Sequence, residues 1–161
     1  MSKRQRSGEV VVHAKAKRPI DKQVIVVTQT FAANTQTATT LYTSTFPGTA
    51  TGILWDLTFT NTAAATNRCA WALVHVRQGE AAPILSFVDG AILATPEQNI
   101  LSWGKFKAVS NVATVGHADY VFIGKTKTMR KLAVGDTLQV IYMARDGTGA
   151  IDGAVQFFIK T

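Results

Sequence analysis

Cysteine is nearly absent from this chain of 161 residues, and long apolar runs are missing altogether. The single cysteine, Cys69, has no second thiol for an internal disulfide, and nothing provides a cysteine-based metal site. No apolar run approaches the ~18 residues of a membrane-spanning helix. The apolar stretch at 10–12 is also far shorter than the ~7–15 residues of a signal-peptide core. We therefore expect neither a secreted disulfide scaffold nor a membrane protein.

Patterns typical of catalysis and metal binding are also missing. The three histidines, His13, His75 and His117, show no ligand spacing such as HxxxH or HExxH. The 10 acidic residues fall mostly in turns and suggest no pair of glycosidase carboxylates. The tripeptide GKT at 124–126 lacks the upstream glycine of a phosphate-binding loop. The sequence predicts no enzyme, no metal and no cofactor, and it favours a His75 that is packed in the fold or lies at its rim.

The abundant residues are those of β-strands. No segment of ten or more residues keeps a 3.6-residue apolar period. Ile53, Trp55, Leu57 and Phe59 alternate with polar residues, which predicts a half-buried strand, and 154–161 has a similar pattern. Roughly seven to nine strands predict an all-β sandwich or barrel. The predicted strands are 23–31, 41–46, 52–61, 70–78, 84–93, 100–109, 154–161 and two within 121–144.

The segment 121–144 joins two apolar stretches through a run of cations. The Gly135-Asp136 pair predicts a turn that folds one stretch back on the other. Lys125, Lys127 and Lys131 share one parity, so this strand has at least one face that meets water or an anionic partner. A solvated edge that resists aggregation is the alternative interpretation.

The net charge of +7 is concentrated at the N-terminus. Residues 1–22 hold seven Lys and Arg against two Asp and Glu, a net +5, and the remainder holds ten against eight, a net +2. We interpret 1–22 as a mobile or partly ordered arm and 23–161 as the folded domain. Such an arm binds nucleic-acid phosphates without reading bases, although it also suits a tail that only aids solubility. The predicted contacts are Lys3, Arg4, Arg6, Lys15, Lys17, Arg18, Lys22, Lys125, Lys127, Arg130 and Lys131.

The three tryptophans each lie in an apolar predicted strand. Trp55, Trp71 and Trp103 are therefore expected in the core rather than on a surface that stacks bases. The cations at 1–22 and 105–131 lie mostly away from them in the sequence.

Five blocks of the sequence resemble one protein family. They are FPGTATGILWDLTF (46–59), AWALVHVRQG (70–79), TPEQNIL (95–101), GKTKTMRKLAVGDTLQ (124–139) and GAVQFFIKT (153–161). Together they resemble the capsid proteins of small circular Rep-encoding single-stranded DNA (CRESS-DNA) viruses, the circovirus-like members above all. The resemblance covers nearly all of residues 22–161.

This resemblance implies a single viral jelly roll of eight strands. It further implies a T=1 icosahedral shell of about 60 copies, with the arm inside against single-stranded DNA. The loops at 32–40, 62–68, 80–98 and 110–118 would then form the outer surface and the contacts between subunits. The expected locations are the virion and, during assembly, the host nucleus; the host receptor is not indicated. The arm is shorter than those that relatives often carry and is broken by VVVHA, so we expect either that the strand cations carry more of the packaging or that packaging is weak.

Two other functions fit the same residues. One is a non-viral nucleic-acid-binding β-barrel that stays monomeric or forms a small oligomer. The other is a carbohydrate-binding jelly roll with an incidental basic tail.

Overall fold

The protein, described here as a computed structural model over residues 20–61, 67–88, 91–95, 99–108, 118–127 and 129–161, is built from β-strands. Those ranges contain no α-helix, which confirms the predicted all-β class. The strands are β1 Ile20–Phe31, β2 Thr37–Thr43, β3 Gly48–Asn61, β4 Asn67–Val76, β5 Ile84–Val88, β6 Ala91–Thr95, β7 Ile100–Ala108, β8 Ala118–Thr126, β9 Arg130–Leu132, β10 Thr137–Ala144 and β11 Gly149–Lys160.

Two antiparallel sheets form the sandwich. The first sheet has the order β1-β11-β3-β8, with the short β9 also paired to β3, and the second has the order β2-β10-β4-β7. The chain crosses between the sheets repeatedly, and β5 and β6 form a separate hairpin in the connection from β4 to β7. Two sheets of four main strands connected in this way are a jelly roll, as predicted, to which β5, β6 and β9 are additions.

The main core fills the space between the sheets. Each strand places alternate side chains inward, because successive residues of a strand point to opposite faces. The residues predicted to face inward on β3 and β11 are all buried: Ile53, Trp55, Leu57, Phe59, Val155, Phe157 and Ile159.

Aromatic rings connect the two sheets at one end of this core. Trp55 and Trp71 lie with ring centroids 5.2 Å apart, and Trp71 stacks on Phe122 at 5.4 Å and 19°. Gly124 faces Trp55 across the β3–β8 pair, and a Cβ on Gly124 would overlap the indole. The core placement of Trp55 and Trp71 is confirmed. For Trp103 it is wrong, because that side chain points outward from β7 and is 54% exposed.

A second, smaller core covers the outer face of the second sheet. Ala70, Ala72 and Val74 on β4 and Ile141 on β10 are buried beside Leu85 of the β5–β6 hairpin. Gln36 fastens the start of this hairpin to the body, since its side chain donates to Pro83 O at 2.9 Å and accepts from Leu85 N at 2.7 Å. Apart from the exposed Arg68, β4 is therefore buried on both faces, and so is β10 from Val140 onward.

The predicted fold of segment 121–144 is wrong in its pairing. The turn exists: Gly135 has φ +86° and Asp136 N donates to Ala133 O at 3.2 Å, the geometry of a type II turn. However, the turn joins β9 to β10, and β8 lies in the opposite sheet from β10. Apolar alternation looks the same in a hairpin and in a crossing between sheets, so the sequence did not separate them.

Several boundaries also differ from the predicted ones. β1 begins at Ile20 instead of residue 23, so Lys22 belongs to the first sheet and not to the arm. β2 occupies part of the expected loop 32–40, and β3 starts at Gly48, inside the expected turn. Residues 1–19 lie outside the described part of the chain, as do 62–66, 89–90, 96–98 and 110–117 from the expected loops.

Candidate nucleic-acid interface

One end of the outer face of the first sheet carries five exposed lysines. Lys131 on β9 and Lys160 on β11 both lie opposite Thr49 on β3, so they share its row and its face. Lys22 on β1 lies one row further along, opposite Phe158. Lys125 on β8 lies opposite Leu54, and Lys127 follows it at the next position of the same parity. We call these five residues the basic end: Lys22, Lys125, Lys127, Lys131 and Lys160.

The lysines of the basic end have no acidic partner within the described ranges. Neighbouring strands lie about 4.8 Å apart, so the three steps from β1 to β8 make the basic end about 14 Å wide. A flexible chain of phosphates can bridge this width, and each contact releases a condensed counterion. Lysine suits such contacts because its ammonium acts as a point charge that holds phosphate without fixed geometry.

The first described residue lies at this same end. Ile20, which begins β1, pairs with Lys160, so the predicted arm 1–19 is joined to the folded domain beside the basic end. The predicted arm contacts Lys3, Arg4, Arg6, Lys15, Lys17 and Arg18 lie outside the described residues and stay predictions. The structure therefore brings Lys22, Lys125, Lys127 and Lys131 together and attaches the arm next to them.

An open cleft of about 810 Å³ adjoins the basic end. Lys131 and Lys160 line it, and so do Arg77 and Arg130, which add two guanidinium groups. Arg130 differs from the other predicted strand cations, because it pairs with Ala50 on the opposite parity from Lys131 and is half-buried along the cleft. Sequence reasoning missed Arg77 and Lys160. In the sequence, the only sign of Lys160 was its charge at an outward-facing position of a predicted strand.

A buried histidine–aspartate pair forms the floor of the cleft. His75 Nε2 lies 2.8 Å from Asp136 Oδ2, and both side chains are 7% exposed. The same carboxylate accepts hydrogen bonds from Ala133 N at 2.9 Å and Gln78 N at 3.1 Å. Burial alone would raise the pKa of Asp136, but the bonds from Ala133, His75 and Gln78 together bring it below its ordinary value. The prediction of a packed His75 is confirmed.

This pair belongs to a hydrogen-bond network that joins the β9–β10 turn to the end of β4. The nearby Ser44 donates its hydroxyl to Phe46 O at 2.7 Å, and its backbone N donates to Asp136 O at 2.8 Å. Burial raises the pKa of the Cys69 thiol to about 12, so Cys69 is protonated and unreactive at neutral pH. No group of three or more His, Cys, Asp and Glu side chains suited to a metal occurs in the described ranges. No helix in that part of the chain has the length and apolarity to cross a bilayer.

Beyond the basic end, the outer face of the first sheet carries four exposed aliphatic side chains among polar ones such as Asp56 and Asp152. Val24 and Val26 project from β1 at one edge, and Val121 and Ile123 project from β8 at the other. Val26 is 73% exposed and Ile123 72%, and Ala154 and Asp56 separate them in one row. We call Val24, Val26, Val121 and Ile123 the apolar face. They form two exposed aliphatic pairs, one on each edge strand of this sheet, and exposed aliphatic groups of this kind are typical of surfaces that contact another protein.

Comparison with known proteins gives matches of fold only. No protein-family model matches the chain, and no curated protein matches it. A structure of infectious bursal disease virus, Gt strain, matches at a TM-score of 0.42 and 9% identity, over 90% of this chain and 34% of that one. The VP2 subviral particle of that virus matches at 0.37 and 11%, over 88% and 33%. T=1 particles derived from the virus match at 0.36 and 9%, over 88% and 32%. The chain thus spans about a third of the length of these structures.

Proposed function

We propose that this protein is the capsid protein of a small single-stranded DNA virus, and that it self-assembles into an icosahedral shell around its genome. The observation that carries the proposal is the basic end beside the point where the arm leaves the domain. The six cations of the predicted arm would add to the charge of these five lysines, on a body (20–161) whose net charge is 11 − 9 = +2. Binding would be electrostatic and independent of sequence.

The jelly roll alone does not distinguish a capsid protein from a lectin, since both classes of protein have this fold. A neutral sugar gains little from lysines without acidic partners, whereas a phosphate chain gains from each of them. The basic end therefore favours a nucleic acid over a carbohydrate. The resemblance of the five sequence blocks to circovirus-like capsid proteins supports single-stranded DNA as that nucleic acid.

Self-assembly is supported by the apolar face. A monomer that exposes Val24, Val26, Val121 and Ile123 on one sheet gains hydrophobic free energy when a second copy covers them. With the arm neutralised by nucleic acid, the body carries little charge to oppose such contacts. Many weak arm contacts on one shell would hold one genome firmly through multivalency. The proposed locations are the virion and the host nucleus during assembly.

Removal of residues 1–19 tests this function. Truncation before Ile20 keeps all twelve pairs between β1 and β11, so the sheet stays intact. Sedimentation with absorbance at 260 and 280 nm measures both the particle and its nucleic acid. A capsid protein should still form particles but lose most of the nucleic acid. A binding barrel should keep most of its binding through the body, and a lectin should bind none before or after truncation.

A further inference from the structure

The outer face of the second sheet carries an exposed indole followed by two lysines. Trp103, Lys105 and Lys107 point to the same side of β7, which is an edge strand of its sheet. Their neighbours on β4 are Ala72, Ala70 and Arg68 in that order. The two alanines are small and buried, and the Trp103 indole and Lys105 lie beside them on the same face of the sheet.

The ring of Trp103 takes no part in the main core. It is 54% exposed, and among the described residues it contacts no other aromatic ring. Trp55 and Trp71, in contrast, lie in the aromatic cluster of the main core. An exposed indole offers a flat apolar surface of the kind on which nucleobases stack.

Three cations lie in a row that runs across the sheet beside this indole. Lys107 on β7 pairs with Arg68 on β4, and Arg145 N, just past the end of β10, donates to Arg68 O at 2.8 Å. Arg68 is held by Asp146, whose two carboxylate oxygens accept from its Nε and Nη2 at 2.8 Å each. Lys105, Lys107, Arg68 and Arg145 against Asp146 give these five residues a net charge of 4 − 1 = +3.

We propose that Trp103, Lys105, Lys107, Arg68 and Arg145 form a second contact for single-stranded nucleic acid, on the opposite side of the sandwich from the basic end. This contact rests on the proposed function, since it takes the same class of ligand, single-stranded nucleic acid. One unpaired base stacks on the Trp103 indole, and phosphates of the adjoining nucleotides lie against Lys105 and Lys107. Side chains on one face of a strand repeat every ~6.8 Å. An extended single strand that runs along β7 therefore contacts Trp103, Lys105 and Lys107 in succession. A combination of aromatic ring and cationic track is how proteins hold single strands without reading their sequence.

Binding of oligothymidylate and of an abasic oligomer of equal length to the full chain tests this contact. Trp103→Ala should weaken oligothymidylate binding roughly fivefold to a hundredfold, the range for stacking one base, and leave the abasic oligomer unaffected. Trp103→Phe, which keeps a flat ring, should recover most of the loss. Equal binding of both oligomers by the wild type, or no effect of Trp103→Ala, would overturn the proposal.

Acrylamide quenching gives a second readout that does not depend on a variant. Only Trp103 of the three tryptophans is exposed, so quenching reports on it selectively. Oligothymidylate should protect this fluorescence, and the abasic oligomer should not. Absence of protection at saturating oligothymidylate would contradict the stacking contact.

Paired lysine variants distinguish this contact from the basic end. Lys105→Glu with Lys107→Glu should lower the salt slope of oligothymidylate binding by about 1.4, at ~0.7 per phosphate. If Trp103→Ala has no effect while Lys125→Glu with Lys127→Glu weakens binding, this contact is wrong and the proposed function stands. The reverse result would contradict the basic end as the site of packaging and would keep this contact.

A sulfated oligosaccharide distinguishes a nucleic acid from an anionic sugar at the same surface. Trp103→Ala should leave the binding of this sugar polymer unchanged, because it offers no flat base to stack on the indole. If the substitution abolishes binding of the sulfated oligosaccharide but not of oligothymidylate, the surface binds carbohydrate and the proposal is wrong.

Discussion

Asp136 offers the sharpest test of how this fold is held together. Its carboxylate accepts from three donors, which are Ala133 N, Gln78 N and His75 Nε2. These bonds connect the β9–β10 turn to the end of β4, and so they fix the position where the chain crosses between the sheets. Substitution Asp136→Ala removes all three bonds without adding bulk.

The expected cost follows from the number of orphaned donors. A buried donor left without its acceptor costs about 1–3 kcal/mol. His75 and Asp136 line the adjoining open cleft, which places each loss at the lower end and the total at about 3 kcal/mol. For a chain of this size, that corresponds to a fall in Tm of about 6–12 °C. Asp136→Asn keeps one carbonyl acceptor and should fall between the wild type and Asp136→Ala.

The effect has a defined pH dependence. The pKa of Asp136 is lower in the folded protein than its ordinary value of 3.8. Its ionised form therefore stabilises the fold fully above about pH 4, and this contribution is lost as the pH falls through the folded pKa. The difference in stability between the wild type and Asp136→Ala should be largest near neutral pH and should shrink below about pH 4.

Urea unfolding followed by tryptophan fluorescence measures these differences, at one protein concentration and one salt. The matched control is Asp152→Ala, which removes an exposed carboxylate from β11 and should change stability by less than about 0.5 kcal/mol. If Asp136→Ala costs no more than this control, or if its cost is the same at about pH 3 as at neutral pH, the role of the three bonds at the turn is refuted.

Three other changes test the interface and the core. Lys125→Glu with Lys127→Glu should reduce the nucleic acid in purified particles and lower the salt slope of binding by about 1.4, without unfolding the subunit. Gly124→Ala places a Cβ against the Trp55 ring and should cost about 1–3 kcal/mol in urea unfolding. Val26→Asp puts a charge on the apolar face and should slow or abolish assembly in sedimentation, while the Tm of the unassembled subunit stays unchanged.

Control variants and contradicting results can be stated for these changes. The double arginine variant at the two lysine positions keeps the charge and should package nucleic acid normally; unchanged packaging in the glutamate variant would contradict the basic end. Thr28→Asp places the same charge two residues further along β1 and should affect assembly less than Val26→Asp. A wild-type unfolding curve for Gly124→Ala would show that the glycine is not needed against the indole.

The sequence predicted those strands in which apolar and polar residues alternate, so that one face is apolar and the other polar. On β3, one face is apolar and the other polar, so parity alone placed Ile53 and Phe59 in the core. The same reasoning failed for Trp103. A register irregularity between Leu73 and Val74, opposite Ile100 and Ser102, interrupts the alternation of β7, and the indole lies on the outer face. Such an irregularity leaves no mark in the sequence.

The candidate interface was predictable only where its residues are close in sequence. The common parity of Lys125, Lys127 and Lys131 placed them on one face, and the structure puts all three on the outer face of the first sheet. Lys160 joins them only because β11 and β9 both pair with β3 around Thr49. This pairing depends on the jelly-roll connections, which no local pattern specifies.

A closed shell that is built from many copies of this chain and holds nucleic acid is the centre of the proposed function. Sedimentation of the full-length, nuclease-treated protein, with absorbance at 260 and 280 nm across the gradient, tests it most directly. Such a shell should give one fast, homogeneous boundary with excess absorbance at 260 nm, because it protects its contents from nuclease. A slow boundary of monomer size in several buffers would contradict the proposed function, and would favour a nucleic-acid-binding module instead.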